Sequence, residues 1–436
     1  MKNHSNKKNS KDSKRETSAT YDFDTQLNRL NSNSLKWQKG AKILPMWVAD
    51  MDFKIAPQIQ NAMQKKLEKG VFGYEVVSDE FYQSIEKWWL EWHKLKLDRK
   101  WLAFCTGVVP AISSMVRRLT SIGEGVLIQP PVYGVFYNCI RDNGRTVVEN
   151  ELVYENGAYS IDFKDLEAKL ASPNTTLMIL CNPHNPIGKV WSKKELQKIA
   201  ALCEKHAVLL ISDEIHCDIT SSPYTPFASI NSRAITAISA SKAFNLASLH
   251  ASCIFTSDER LRAKITRGFN TDEIKEPASF AQTATIAAFN ESKDWLKAMN
   301  AYVSANKDYA TRILEANSAL RIVRSEATYM LWIDCNALLK AKNENSKTAA
   351  RNVKGAKNQA LKANLSSIDH LNACSFNGDD LWQYLYTHAK IWISKGSSFG
   401  AGGENFFRLN VATPRATLEE GLKRLIQGTK DFLDKV

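Results

Sequence analysis

The chain has 436 residues, of which 44% are hydrophobic and 24% charged, and a formal net charge of +12. Its length exceeds what one core ordinarily serves, so two domains, or a large domain with a smaller appended one, are expected; no apolar run approaches the roughly 20 residues that span a bilayer. The positive charge is local: residues 1–20 carry six bases against two acids, and Lys340 to Lys362 carry seven against one, with no aromatic rings interleaved, which argues against a stacking platform and a specific nucleic-acid partner.

Residues 1–20 lack the apolar segment of a secretory signal and read as a disordered basic tail. The eight cysteines never fall as C-x-x-C, so reduced, mostly buried thiols in a cytoplasmic protein are expected, with neither a disulfide framework nor a metal site. Residues 21–55 read as an N-terminal arm, polar at first and then apolar and acidic at Pro45 to Phe53. Helical spacing over Pro57 to Leu67 and Phe81 to His93 brackets the loop Phe72-Gly73-Tyr74.

From residue 101 the pattern becomes short apolar strand, turn, helix. Trp101 to Cys105, Gly125 to Gln129, Thr176 to Cys181, Ala207 to Ser212, Ala234 to Ala240 and Ala251 to Thr256 are apolar throughout rather than alternating, as in strands covered on both faces. A mainly parallel sheet in an α/β domain over residues 56–294 is therefore predicted. Residues 295–436 read as a smaller unit, with strands at Ala327 to Asp334 and Phe406 to Val411 and helices at Asp379 to His388 and Thr417 to Leu433. Within it, the stretch 340–363, rich in Lys, Ala and Asn, reads as a surface insertion.

Ligands of such sheets bind beyond the carboxyl ends of the strands. Those ends supply Thr106-Gly107, Asn182, Asp213 to His216 and Ser239 to Lys242. Asp213 would stand at the mouth of a buried strand, where a carboxylate needs a cation; a protonated pyridine nitrogen would serve, and a helix N-cap is the alternative. Lys242, read alone a solvated loop charge, has the chemistry of a Schiff-base lysine when its amine is desolvated. Ser239, Ser241 and the amides of Gly107, Val108 and Val109 at a helix start could hold a phosphate.

Four segments, Cys181 to Gly188, Ser212 to His216, Ser239 to Asn245 and Phe399 to Asn410, resemble in order and spacing the fold-type I pyridoxal phosphate enzymes. The resemblance is strongest to the cystathionine β-lyase-like carbon-sulfur lyases related to class II aminotransferases. Further matches to that branch are Ser34 to Trp37, Pro45 to Phe53 and Pro131 to Tyr133, and the likeness extends over about residues 21 to 430.

The resemblance implies an aminotransferase-like α/β fold with pyridoxal 5'-phosphate on Lys242. It further implies that Asp213 pairs with the ring nitrogen, that Asn182 and His216 lie beside the ring hydroxyl, and that Tyr133 stacks on the ring. Gly107, Val108, Ser239 and Ser241 would hold the phosphate, joined by Tyr74 from a second subunit of a homodimer, and Arg408 would bind the α-carboxylate of an amino-acid substrate. The implied reaction is β-elimination from cystathionine or a related cysteine S-conjugate to pyruvate, ammonia and a thiol, within amino-acid metabolism and methionine biosynthesis. An aminotransferase on the same scaffold, or a pyridoxal phosphate-binding regulatory protein with little turnover, are the competing readings. The chain departs from the pattern at Ser248 and His250, which leaves the phosphate contacts after Lys242 open.

Overall fold

The computed structural model describes residues 21–355 and 375–435. The expected basic tail, the later part of the 340–363 stretch and Cys374 lie outside them.

The centre of the molecule is a seven-stranded sheet. Its strands in chain order are β1 (Leu102–Cys105), β2 (Gly125–Ile128), β3 (Thr146–Glu149), β4 (Thr175–Cys181), β5 (Leu209–Asp213), β6 (Ile235–Ile238) and β7 (Ser252–Phe255). They lie side by side as β1-β7-β6-β5-β4-β2-β3, all parallel except β7, which runs antiparallel to both its neighbours. The apolar runs are buried along almost their whole length, including every residue of β1, β2, β6 and β7, because helices cover both faces of the sheet. This is the mainly parallel α/β architecture expected from the pattern.

Helix Asp79–Trp92 starts at Ser78, whose hydroxyl accepts from the Phe81 amide, and buries Trp88 and Trp89. Its Trp88 ring meets Phe289 of helix Ala281–Glu291. That helix buries alanines at 281, 284, 287 and 288, and such small side chains let neighbouring backbones approach closely.

A second sheet is antiparallel throughout, in the order β8 (Arg321–Ile322), β9 (Met330–Asp334), β11 (Phe406–Asn410), β10 (Ser394–Lys395). The arm forms a separate two-stranded sheet, in which Leu44–Pro45 pairs in parallel with Ile391–Trp392. The arm thus reaches β11, which carries Arg408, the Asn410 amide donating to Met46 O at 2.9 Å.

One residue of the 340–363 stretch, Lys342, departs from the expected surface character. Helix Asn336–Gly355 runs through the first part of the stretch, and Lys342 is only 2% exposed. Its ammonium lies 5.2 Å from the ring centroids of both Phe376 and Phe432 and donates to the carbonyls of Leu433 and Lys435. Ala, Lys and Glu favour helix, and a lysine stem can lie along apolar rings while its charge finds carbonyls; composition alone suggested surface throughout.

Candidate active site

The register of the central sheet sets the geometry. Cys181 on β4 stands opposite Asp213 on β5, and Asp213 opposite Ala237 on β6. Three adjacent strands therefore end at one level, delivering Asn182, Asp213 and Ser239 side by side. Asn182, Asp213 and His216 are all buried. Beyond Ser239 the chain turns, the Phe244 amide donating to Ala240 O and the Leu246 amide to Ser241 O at 2.9 Å each. Phe244, fully buried, plugs the turn into the aromatic core and leaves Lys242 facing the opposite way, toward the arm.

Among the described residues Lys242 has no carboxylate partner; its Nζ donates to the carbonyl of Ala49 at 2.8 Å. Burial lowers the amine to about 8, Arg408 adding to the effect while Asp50 and Asp213 oppose it. Asp213 is the complement: burial raises it to about 7, against a 3.2 Å hydrogen bond from the Ile215 amide. Burial also holds His216 well below the usual imidazole value, with Lys242, Arg408 and Lys307 adding positive charge nearby. Tyr133 is raised by burial and senses both Arg408 and Asp213. Lys242, Asp213, Asn182, His216, Tyr133 and Arg408 thus share one site.

Arg408 is 5% exposed and pairs with no carboxylate among the described residues. Its Nη1 donates to Asn185 Oδ1 at 2.9 Å, and its Nη2 to Trp47 O at 3.0 Å and Ser394 Oγ at 3.4 Å. The guanidinium carbon lies 4.8 Å from the Phe399 ring centroid, and burial lowers the group to about 10. A buried guanidinium held only by neutral acceptors retains its charge for an anion, for which its planar fork is suited.

The phosphate-side candidates are less uniform. Gly107 precedes helix Val108–Leu119, whose first turn presents N–H groups without helical partners. Ser239, however, spends its only proton on Ala251 O at 2.6 Å and accepts from the Ser241 amide at 3.1 Å. In this structure its hydroxyl shapes the turn. Ser248 and His250 are exposed, His250 in a left-handed conformation at φ 54°. Tyr74 is fully exposed on its loop and is not brought to the site within this chain.

Several site residues carried no individual expectation. Asn185 and Asn245 were visible only as letters inside quoted motifs, and Ala49 acts through its carbonyl. Glu214, buried, accepts from Ser212 Oγ at 2.7 Å, the Phe227 amide at 2.9 Å, Asn182 Nδ2 at 3.4 Å and the Tyr224 hydroxyl. It anchors the amide of Asn182, whose Oδ1 is left buried without a partner, as is Nδ1 of His216. Buried polar atoms are almost always satisfied. Two such atoms, an uncompensated carboxylate, free helix-start amides and an amine of lowered basicity fit a heteroaromatic aldehyde bearing a hydroxyl, a protonated nitrogen and a phosphate.

Residues 41–425 match the family described as aminotransferase class I and II, and the chain belongs to that family. It is 34% identical over 416 residues to cystathionine beta-lyase PatB of Bacillus subtilis (strain 168), covering 92% of this chain and 98% of that protein. It is 32% identical over 397 residues to protein MalY of Escherichia coli (strain K12), covering 89% and 92%. Among solved structures, cystalysin from Treponema denticola, which contains a pyridoxal 5'-phosphate cofactor, superposes with a TM-score of 0.83 at 30% identity, covering 94% of this chain and 99% of that one.

Proposed function

We propose that this protein is a pyridoxal phosphate-dependent carbon-sulfur β-lyase that cleaves cystathionine or related cysteine S-conjugates. The observation that carries the reading is the grouping of a half-buried amine, Lys242, with a buried carboxylate, Asp213, and a buried guanidinium, Arg408, with no carboxylate-cation contact among them. The relatives named as a cystathionine β-lyase and cystalysin support the choice of reaction.

In this reading Lys242 would hold the cofactor through its aldehyde carbon, Asp213 through its ring nitrogen, and Asn182 and His216 on the side bearing the ring hydroxyl. Tyr133 would face the ring, and Gly107, Val108, Ser239 and Ser241 would hold the phosphate. When bound, the cofactor supplies an electron sink for the pair left at the substrate Cα. Arg408 fixes the substrate carboxylate with two parallel N–H donors, which orients the Cα–H bond toward Lys242. Lys242 Nζ, set free when the substrate's own amine displaces it from the aldehyde carbon, would take that proton; an amine near 8 is a competent base close to neutral pH. The Cβ–S bond then breaks with its electron pair on sulfur, the thiolate takes a proton, and the three-carbon enamine hydrolyses to pyruvate and ammonia. With cystathionine the thiol is homocysteine, which would place the enzyme in methionine formation.

We infer a homodimer in which Tyr74 completes the partner's phosphate site. In support, Val71, Phe72, Tyr74 and Val76 all lie exposed on one short loop, an apolar cluster of the kind that marks a contact surface. The seven described cysteines are free and buried, in keeping with a reducing compartment such as the cytoplasm. Among the described residues no helix is long and apolar enough to cross a membrane.

The test is incubation with pyridoxal phosphate and then cystathionine. Visible absorbance that is lost in Lys242→Ala, with pyruvate and thiol formed without any keto acid, is the expected result. A requirement for a keto-acid co-substrate would overturn the lyase in favour of a transaminase.

A further inference from the structure

The segment 47–53 lies across Lys242, and each carbonyl from Trp47 to Met51 accepts a hydrogen bond. Trp47 O is bonded by Arg408 and Ser394, Val48 O by Asn410 at 2.7 Å, and Ala49 O by Lys242. Asp50 O takes Asn410 at 2.8 Å and Lys36 at 2.9 Å, and Met51 O takes Arg29 at 3.1 Å and Asn245 at 3.3 Å. Ala49 itself has no other anchor in this set, so its position depends on its neighbours.

Beside the strap sits a cluster that the chemistry above leaves unused. Lys36 is 1% exposed and Asp52 5%. Lys36 Nζ lies 2.6 Å from Asp52 Oδ2, while Asp52 Oδ1 accepts from Trp37 Nε1 at 3.1 Å and Arg29 Nη1 at 3.0 Å. Arg29 Nη2 reaches Asp50 Oδ2 at 2.7 Å and Ser34 Oγ at 3.0 Å. Lys36 and Trp37 close the Ser34 to Trp37 motif, and Asp50 and Asp52 end the next; the motifs meet here. Burial pushes Asp52 upward, but Lys36, Trp37 and Arg29 outweigh it and hold the carboxyl below its usual range. A buried, fully bonded ion pair contributes little net stability compared with apolar packing, and its best-attested use is to fix one arrangement.

We propose that Lys36, Asp52 and Arg29 form a charge lock that sets the height of the 47–53 strap over the site, making Lys36 and Arg29 positioning residues for the Lys242 amine through the Ala49 carbonyl. Both cations grip the backbone and the acidic side chains together, so the strap cannot slide without unpairing a buried charge. The lock acts at long range along the chain, 193 residues separating Ala49 from Lys242. Arg408 and Asn410 hold the same strap from the substrate side, so a displaced strap would disturb amine and carboxylate recognition together.

The inference rests on the cofactor reading above, and the experiment separates the two. Wild type, Lys36→Met, Lys36→Arg and Arg29→Gln are compared in the pyridoxal phosphate-loaded form by visible circular dichroism, steady-state kinetics and thermal unfolding. Arg29 is the safer variant for folding, being partly exposed. A positioning role predicts that Lys36→Met and Arg29→Gln bind cofactor, that the visible dichroic band changes by about twofold or more, and that kcat falls about tenfold, the scale of a small misplacement of reacting groups. Lys36→Arg should recover part of both. Wild type without a visible band sinks the cofactor reading; a wild-type band with unaltered dichroism and kcat in a folded Arg29→Gln sinks the lock alone, even if its melting temperature drops.

Discussion

Asn185, in the loop that follows β4, accepts a hydrogen bond from Arg408 on β11 at 2.9 Å, joining the two sheets at the point where the substrate carboxylate is proposed to sit. Both side chains are buried. The amide is a neutral acceptor, so it orients the guanidinium without cancelling its charge. Asn185→Asp would place a carboxylate against Arg408 and compete with substrate. KM should rise by about tenfold or more, with a smaller change in kcat, read from initial rates of thiol release. Arg408→Lys should also raise KM, because a lysine cannot reproduce the planar fork.

Asp213 ties pH to stability in the cofactor-free protein. Its folded value of about 7 lies above the ordinary carboxyl value of 3.8, so between these limits the folded state binds more protons than the unfolded one. Stability therefore falls as pH rises through the window from about 4 to 7. Asp213→Asn in the apo form should be more stable than wild type at pH 7.5, by on the order of 2 to 4 kcal/mol. The gap should close by about pH 4. Urea titrations at the two pH values check this, and cofactor should reverse the order by pairing the wild-type carboxylate.

Phe244 lies two residues from Lys242 with its ring edge-on to Trp88 at 5.8 Å and to Phe289 at 6.0 Å, and stacked on Trp295 at 6.2 Å. Phe244→Ala should destabilise the protein by about 3 to 5 kcal/mol. It should also loosen the lysine turn. Denaturant midpoints measure the first effect, and cofactor dissociation during gel filtration the second.

The loop bearing Tyr74 offers a separate test of assembly. Val76 is 84% exposed, so Val76→Glu leaves the monomer's core untouched. Light scattering should show a shift from dimer toward monomer at micromolar concentration. Cofactor affinity should fall with it, as should that of Tyr74→Phe, whose dimer remains intact.

Much of the site was legible because buried parallel strands announce themselves as unbroken apolar runs, and the first polar residue after each run marks the rim where ligands bind. Asn182, Asp213 and Ser239 came out that way, and register then placed them together. The roles of individual polar atoms were not legible. Ser239 carries the right hydroxyl, yet its proton goes to Ala251, a partner visible only once β6 and β7 are paired. The Ala49 carbonyl had no side-chain signature at all, since any residue offers one. Lys342 shows the same limit, because a lysine in a basic stretch gives no sign that two phenylalanines and a helix end will surround it.

The central sheet also decides how the protein would tolerate its own product. Cys181 ends β4 opposite Asp213, and Cys139 senses the same carboxylate. Burial, with Asp213 adding negative charge, raises Cys139 to about 12 and Cys181 higher still. Exchange with disulfides requires thiolate, so these sulfurs stay chemically silent while a free thiol is liberated beside them. A disulfide formed when the released thiol is later oxidised would thus find no thiolate here with which to exchange.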